Sequence, residues 1–261
     1  MLRQGGTLPI IPSMWTLFAD VRFTIRNLRR SPAFTLAALL TISLGIGAVT
    51  AVTTLVNAVL VRSLPFEDGD RIVFLRGETR RDTPTAFPLG YQDLQDLAAE
   101  RTIFSAVSPV TGVRSFNLAA GSEVEHINGE MVGPEYFRAL GVSLHAGRMF
   151  TEEESRPPSA ARVAVLSYDL WQRRFGSDPN IIGRTVSLND RTFEVIGVAA
   201  RGFRGVTDEA RVWLPIGTSH FIYGPHYTDM RMFRWLSGVA RLADGVDLEQ
   251  ASAGVRATAD R

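Results

Sequence analysis

Hydrophobic and polar positions divide the chain into three regimes. Between Arg30 and Arg62 no charge occurs, and apolar or small residues dominate. A bilayer core about 30 Å thick takes about 20 apolar residues of helix. The run exceeds that. It also exceeds the about 7–15 residues of a signal-peptide apolar region, and its exit through Arg62-Ser63-Leu64-Pro65 has no small-residue cleavage pattern. The pattern predicts a transmembrane helix over 32–62, with Ser31 as cap, Pro32 at the first turn and Pro65 beyond the end. Ahead of it, Leu17, Phe18, Val21, Ile25 and Leu28 share one helical face, and Arg22, Arg26 and Arg29 an adjacent one. Trp15 and Phe23 break the pattern. This predicts an amphipathic interfacial helix over 15–31. Residues 1–14 lack periodicity and read as a disordered leader, with Met14 as an alternative start.

Beyond Pro65 the periods alternate between two and 3.6. Strands are predicted at 71–76, 104–110, 114–120, 124–132, 161–167, 211–216 and 234–242. A hairpin is predicted across 184–199, turning at Asn189-Asp190. Helices are predicted over Pro88–Arg101, from Pro134 through "PEYFRAL" to Gly141, and over "YDLWQRRF" to Gly176. Asp247 caps a last helix whose Leu248, Ala251 and Val255 share a face. The class is α+β: one N-terminal transmembrane helix, then a mixed α/β domain over 66–261. The last helix carries no stop signal and no second membrane-length run follows, so the chain reads as a fragment of a longer one.

Charge orients the span. Arg22, Arg26, Arg29 and Arg30 lie in a short tail, whereas Arg62, Arg71 and Arg76 lie in a long domain, where the positive-inside rule counts for little. The tail is expected in the cytoplasm and the domain outside. Within the helix, Ser43, Gly47 and Ala51 recur at a spacing of four and offer a face for a neighbouring helix.

Composition removes several chemistries. All 28 basic residues are Arg. Without Lys there is no Walker A lysine and no Schiff base. Without Cys there is no disulfide or thiolate site. A net charge of +1 gives no polyanion-binding signal, and no nucleic-acid partner is expected. His126, His145, His220 and His226 are not spaced as a metal set. Glu123, Glu125 and His126 read as a solvated hairpin face, and Glu152-Glu153-Glu154 as a helix first turn. Ser167 lies between a strand and a helix with no His partner, and no nucleophile-elbow motif occurs. No enzyme activity, cofactor or metal is expected. Aromatic residues crowd one region instead: Trp213, Phe221, Tyr223, Tyr227 and Phe233, with Arg231 and Arg234, form a candidate patch for a partner or lipophilic ligand.

Several stretches together resemble a known family. "LGIGAVTAV" and "NAVLVRSLPFEDGDRIVFL" resemble the first span and exit of MacB/FtsX-type ABC transporter permeases, the duplicated permeases of acidobacteria among them. "MVGPEYFRALGVSLHAGRMFTEEE", "VAVLSYDLWQRRFGSDPNIIGRTVSLNDRTFEVIGVAARGFRG" and "RVWLPI" resemble that family's periplasmic core domain. Ala48-Val49 stands where Ala-Asn is more usual, and "FPLGYQDLQDLAAE" is a loose version of a family helix. The resemblance spans about residues 14 to 260. It implies an inner-membrane permease segment with a cytoplasmic N-terminus and a periplasmic domain. A separate ABC ATPase would drive it, and permeases of this kind work in pairs. It also implies that three further spans and the coupling helix are missing here. The alternatives are a membrane-anchored periplasmic interaction or regulatory domain without transport, and a relative of lipoprotein-release permeases.

Overall fold

Pro32 opens a 25-residue helix, α1 (Pro32–Val56), in a computed structural model that describes residues 32–56, 68–79, 85–120, 123–157, 161–224 and 226–259. Contacts separate unit 1, 1–62, from unit 2, 63–261. On α1, Leu36, Leu39, Leu40, Ile42, Leu44 and Ile46 are all exposed. Among the described residues, however, no helix is long and apolar enough to cross a membrane. The side chains at 34, 38, 48, 49 and 51–56 lie outside the description. The structure therefore does not supply the span expected over 32–62, and the membrane crossing stands on the charge-free sequence alone. Ser43 and Gly47 are exposed on α1, with open space around Gly47, while the side chain of Ala51 falls outside the described residues. The leader 1–14, the amphipathic helix 15–31 and Arg22, Arg26, Arg29 and Arg30 also fall outside them.

Unit 2 begins with the short strands β1 (Ile72–Leu75), β2 (Gly77–Glu78), β3 (Ala86–Phe87) and β4 (Leu89–Gly90), then α2 (Tyr91–Ala99). Next come β5 (Phe104–Val110), β6 (Arg114–Ala120), β7 (Glu123–Val132), α3 (Tyr136–Ala139), β8 (Leu144–Gly147), α4 (Glu152–Ser155), β9 (Val163–Leu166) and α5 (Tyr168–Phe175). The chain continues through β10 (Thr185–Leu188), β11 (Arg191–Ala199), β12 (Val212–Pro215), α6 (Ser219–Tyr223), α7 (His226–Asp229), β13 (Arg234–Leu242) and α8 (Leu248–Ala259). Pro88 does not start the expected helix. Leu89 and Gly90 instead pair with β13, and the Asp93 carboxylate accepts the Gly90 N–H at 3.0 Å to start α2 one residue later.

Strands β7, β12, β9, β11, β10 and β6 form a closed ring of hydrogen-bonded neighbours, because β6 pairs with both β10 and β7. The β7–β12 and β9–β11 pairs are parallel and the others in the ring antiparallel. Strand β13 extends the sheet and carries β1, β4 and β5. Alternation along each strand sends side chains to opposite faces. Val212, Leu214, Ala164 and Leu166 join one core with Phe116, Leu118, Ile127, Met131 and Leu170. Trp213, Val163 and Val165 join another with Tyr136, Phe137, Ile196 and Phe203. Strand β9 is buried at all four positions, as its unbroken "VAVL" implies for a strand covered on both sides.

Local chemistry sets the ends of these elements. Asn189 and Asp190 take φ of 48° and 60° in the β10–β11 turn. That is the left-handed pair a two-residue hairpin of this twist needs. Gly176 closes α5 at φ 59° and Gly141 closes α3 at φ 67°. The Asp247 carboxylate accepts from Gln250 N at 2.8 Å while the Gln250 side chain accepts from Asp247 N at 3.2 Å, a reciprocal cap for α8.

Candidate contact surface

The segment 219–235 gathers aromatic side chains from two short helices and the start of β13. Thr228 and Ile222 tie it inward, Ile222 against the first core. The indole N–H of Trp235 donates to the Tyr227 carbonyl at 2.7 Å, and Gln92 donates to the Asp229 carbonyl at 2.8 Å. These bonds fix α7 against β13 and α2. With the backbone held, the rings meet: Tyr227–Phe233 at 4.7 Å, Tyr223–Tyr227 at 5.3 Å, Tyr227–Trp235 at 5.3 Å and Tyr223–Trp235 at 5.8 Å between centroids. Such spacings suit tilted and edge-on ring pairs, each about 0.5–1.5 kcal/mol beyond burial. Tyr223 and Phe233 are exposed, and at the rim Met230 and Met232 are more so, Met232 at 87 %.

The patch expected from sequence is thus partly reassembled. Tyr223, Tyr227 and Phe233 come together. Trp213 does not: it is 0 % exposed, stacked on Phe203 at 5.0 Å with its indole N–H on Glu130. It sits on β12, where alternation turns it into the second core. Phe221 lies half-buried, and its carbonyl accepts from Arg191. Arg231 is tied to Asp93 at 3.0 Å and Asp96 at 2.7 Å, and Arg234 lies over the Phe87 ring. Two members were missing from the sequence reading. Trp235 is next to Arg234, but only its strand facing decides the assignment. Arg114 lies at the start of β6, over 100 positions away along the chain, and packs on Tyr223 and Trp235 through the fold alone.

A second polar feature lies in the core. Glu130 on β7 is 0 % exposed. Its carboxylate accepts from Tyr136 Oη at 2.5 Å, Trp213 Nε1 at 2.9 Å, Thr207 N at 3.0 Å and Thr207 Oγ1 at 2.7 Å. Val206 N donates to the Tyr136 oxygen at 3.0 Å. Burial pushes the Glu130 carboxyl above its usual range, against the pull of Tyr136, Thr207 and Trp213. Burial likewise pushes the Tyr136 phenol well up, with the Glu130 charge next in effect. All the groups on this carboxylate are donors, and they fasten the loop 203–210 to the sheet. No spacing in the sequence marks Glu130, because its partners come from α3, β12 and that loop.

The other titratable candidates have structural partners. Glu125 pairs with Arg173 and Glu123 with Arg174, each at 2.7 Å, so the hairpin face is held against α5. Ser167 Oγ accepts from Leu170 N at 3.1 Å and caps α5. Glu154 closes a capping box with Thr151 and accepts from Arg148 through both oxygens. His145 packs edge-on against Tyr168 at 4.9 Å. Among the described residues no group of three or more His, Asp and Glu is placed to hold a metal. An open cleft lies beside Ile222, bounded by Phe116, Leu188, Asn189, Arg191 and Phe193.

Comparison with known proteins gives concordant results. A family model described as MacB-like periplasmic core domain matches residues 35–258. The macrolide export ATP-binding/permease protein MacB 1 of Yersinia pestis bv. Antiqua is 28 % identical over 160 residues, 60 % of this chain and 24 % of that protein. The MacB of Burkholderia thailandensis is 31 % identical over 101 residues, 38 % of this chain and 15 % of that protein. The chain spans about a quarter or less of the length of these relatives. Among solved structures, the periplasmic region of MacB from Actinobacillus actinomycetemcomitans superposes with a TM-score of 0.54 at 22 % identity, covering 70 % of this chain and 79 % of that one. The extracellular domain of the noncanonic ABC-type transporter YknZ gives 0.51 at 16 % identity, covering 72 % and 95 %. At these identities the structures establish a shared fold.

Proposed function

The chain belongs to the MacB-like periplasmic core domain family, and from that premise we propose that it is the N-terminal permease segment of an ABC-type exporter. Its α1 anchors it in the inner membrane with the N-terminus in the cytoplasm. Unit 2 is the extracytoplasmic domain, and it passes on motion driven by ATP hydrolysis. The observation that carries this reading is the family match over 35–258, which takes in part of α1 as well as unit 2. The relatives are named as combined ATP-binding and permease proteins. These residues hold no lysine for a Walker A loop, so the ATP-hydrolysing part lies outside them, and the permease acts as a dimer. Catalysis and bound cofactors play no part. The surface around Tyr227 and Phe233 is its contact surface for a partner. Exposed aromatic rings, methionines and an arginine stacked on them are the composition of an interface centre.

That same surface also supports a second reading, in which the anchored domain acts by binding alone. Topology is the first test of both. The chain has no Cys, so Met232→Cys introduces a single reporter at an exposed site. In cells with only the outer membrane permeabilised, a membrane-impermeant maleimide is expected to label it. Labelling only after the inner membrane is lysed places the domain in the cytoplasm and defeats both readings. Transport is then separated from binding by measuring ATP hydrolysis of the ATPase together with the whole permease that carries this segment, against the ATPase alone. A stimulated rate is expected, and an unchanged one leaves the binding reading alone.

A further inference from the structure

Arg114 is a cation that the contact surface leaves without an anion. Its guanidinium lies 5.6 Å from the Tyr223 ring centre and 5.9 Å from that of Trp235. Its Nε is buried with no acceptor. Among the described residues no carboxylate pairs with it, whereas nearby Arg231 is held by Asp93 and Asp96. Stacking on rings leaves the in-plane donors of a guanidinium free for a carboxylate. Its partial burial also makes an arriving anion worth more than at an exposed arginine.

Shape narrows the ligand class. Small molecules favour concave sites. This surface is an open platform of Tyr223, Tyr227, Phe233 and Trp235, rimmed by the adaptable thioethers of Met230 and Met232.

We propose that this platform docks an acidic segment of a partner protein, with a carboxylate on Arg114 and an adjoining apolar side chain on Tyr227 and Phe233. The proposal rests on the reading of this face as the contact surface. Random peptides displayed on phage test it, selected against the full chain in nanodiscs and counter-selected against its Met232→Ser variant. The peptides that survive are expected to be enriched in Asp or Glu beside an apolar residue. Arg114→Gln is expected to weaken a selected peptide by about tenfold, and Arg114→Lys, which keeps charge but not the planar stack, by less. Circular dichroism checks that the variants fold. Surviving peptides that are neutral or basic, or indifferent to Arg114→Gln, overturn the acidic-partner proposal and leave the contact surface standing. If no peptide depends on Met232, both fall. Binding to phosphatidylglycerol vesicles that depends on Met232 while no peptide does assigns the face to lipid and also overturns the proposal.

Discussion

The phenol of Tyr136 donates to the Glu130 carboxylate at 2.5 Å, and neither residue has any solvent exposure. The pair joins α3 to β7, and Trp213, Val206 and Thr207 complete the set from β12 and the loop before it. Leaving buried donors without an acceptor costs about 1–3 kcal/mol each. Glu130→Gln puts an amide N–H₂ where donors already point and is expected to cost about 1–3 kcal/mol. Glu130→Ala is expected to cost more. Tyr136→Phe strips the acceptor from Val206 N–H as well and falls near the Gln variant. Urea unfolding in detergent measures all three. A Glu130→Ala loss no larger than that of an exposed substitution defeats the account.

Acid and neutral conditions should separate Glu130 from Glu154. Burial raises the Glu130 carboxyl above its ordinary 4.5, so the folded chain holds that proton more tightly than the unfolded one. Its stabilising contribution is therefore fully present below 4.5 and is lost as pH rises through the raised value. Glu154 runs the other way. Its hydrogen bonds from Arg148, then those from Thr151, hold it below 4.5, so its contribution is present above that value and lost as pH falls through the lowered one. The deficit of Glu154→Gln should vanish in acid. The fall in stability that wild type shows on leaving acid should be shallower in Glu130→Gln. Identical pH profiles for wild type and both variants reject this assignment.

Gly205 and Gly202 share a φ of 79° but not their surroundings. A Cβ at Gly205 collides with the Glu130 carboxylate, while at Gly202 nothing lies within 4 Å. Gly202→Ala therefore pays only the left-handed backbone cost, about 1–2 kcal/mol. Gly205→Ala adds the collision and loosens the loop 203–210. Thermal melting should rank Gly205→Ala below Gly202→Ala, and trypsin should cut at Arg204 faster in the former. Equal melting shifts contradict the packing of Glu130 under that loop.

Much of this fold was legible because local chemistry and tertiary packing agree. The strands 104–110 and 114–120, the helix 168–175 and the Asn189-Asp190 turn stand where period and turn residues put them. The misreadings occur where tertiary contacts decide. Pro88 looked like a helix start, but Leu89 and Gly90 found an open position beside β13. Trp213 looked like one more surface ring in an aromatic stretch, but its strand turns it onto Glu130. Arg114 and Trp235 carry no mutual signal in sequence, since β6 and β13 come together only when the sheet forms. The short β8 was hidden in "GVSLHAGRMF" because half its residues are exposed.

The hairpin turn offers a stabilising change. Asp190 holds φ 60° without the freedom of glycine, and type I′ turns favour Asn-Gly. Asp190→Gly is expected to stabilise the domain by up to about 1 kcal/mol, since it relieves left-handed strain. Asn189 must stay, because its Oδ1 accepts the Asn117 N–H at 2.9 Å and pins the turn to β6. Asn189→Gly keeps the backbone angle and should lose about 0.5–1.5 kcal/mol. Paired urea titrations decide it. A stabilised Asn189→Gly shows that relief of its own left-handed strain outweighs the side-chain bond to β6, and defeats the expected loss.

The membrane reading of α1 is open to a direct test in which position matters more than composition. Six large apolar side chains, Leu36, Leu39, Leu40, Ile42, Leu44 and Ile46, are exposed on this helix. An apolar surface of that extent needs either lipid or protein to cover it. If lipid covers it, an arginine near the middle costs about 2.5–3.5 kcal/mol, while one near an end reaches the headgroups and costs less. Leu44→Arg lies twelve residues into the helix and Leu36→Arg four, so the former should release far more protein into the soluble fraction on alkaline carbonate extraction. Covering by protein predicts no such gradient with depth, since an arginine is as unwelcome at either site. A release that is equal for both variants, or absent from both, removes the transmembrane role from α1.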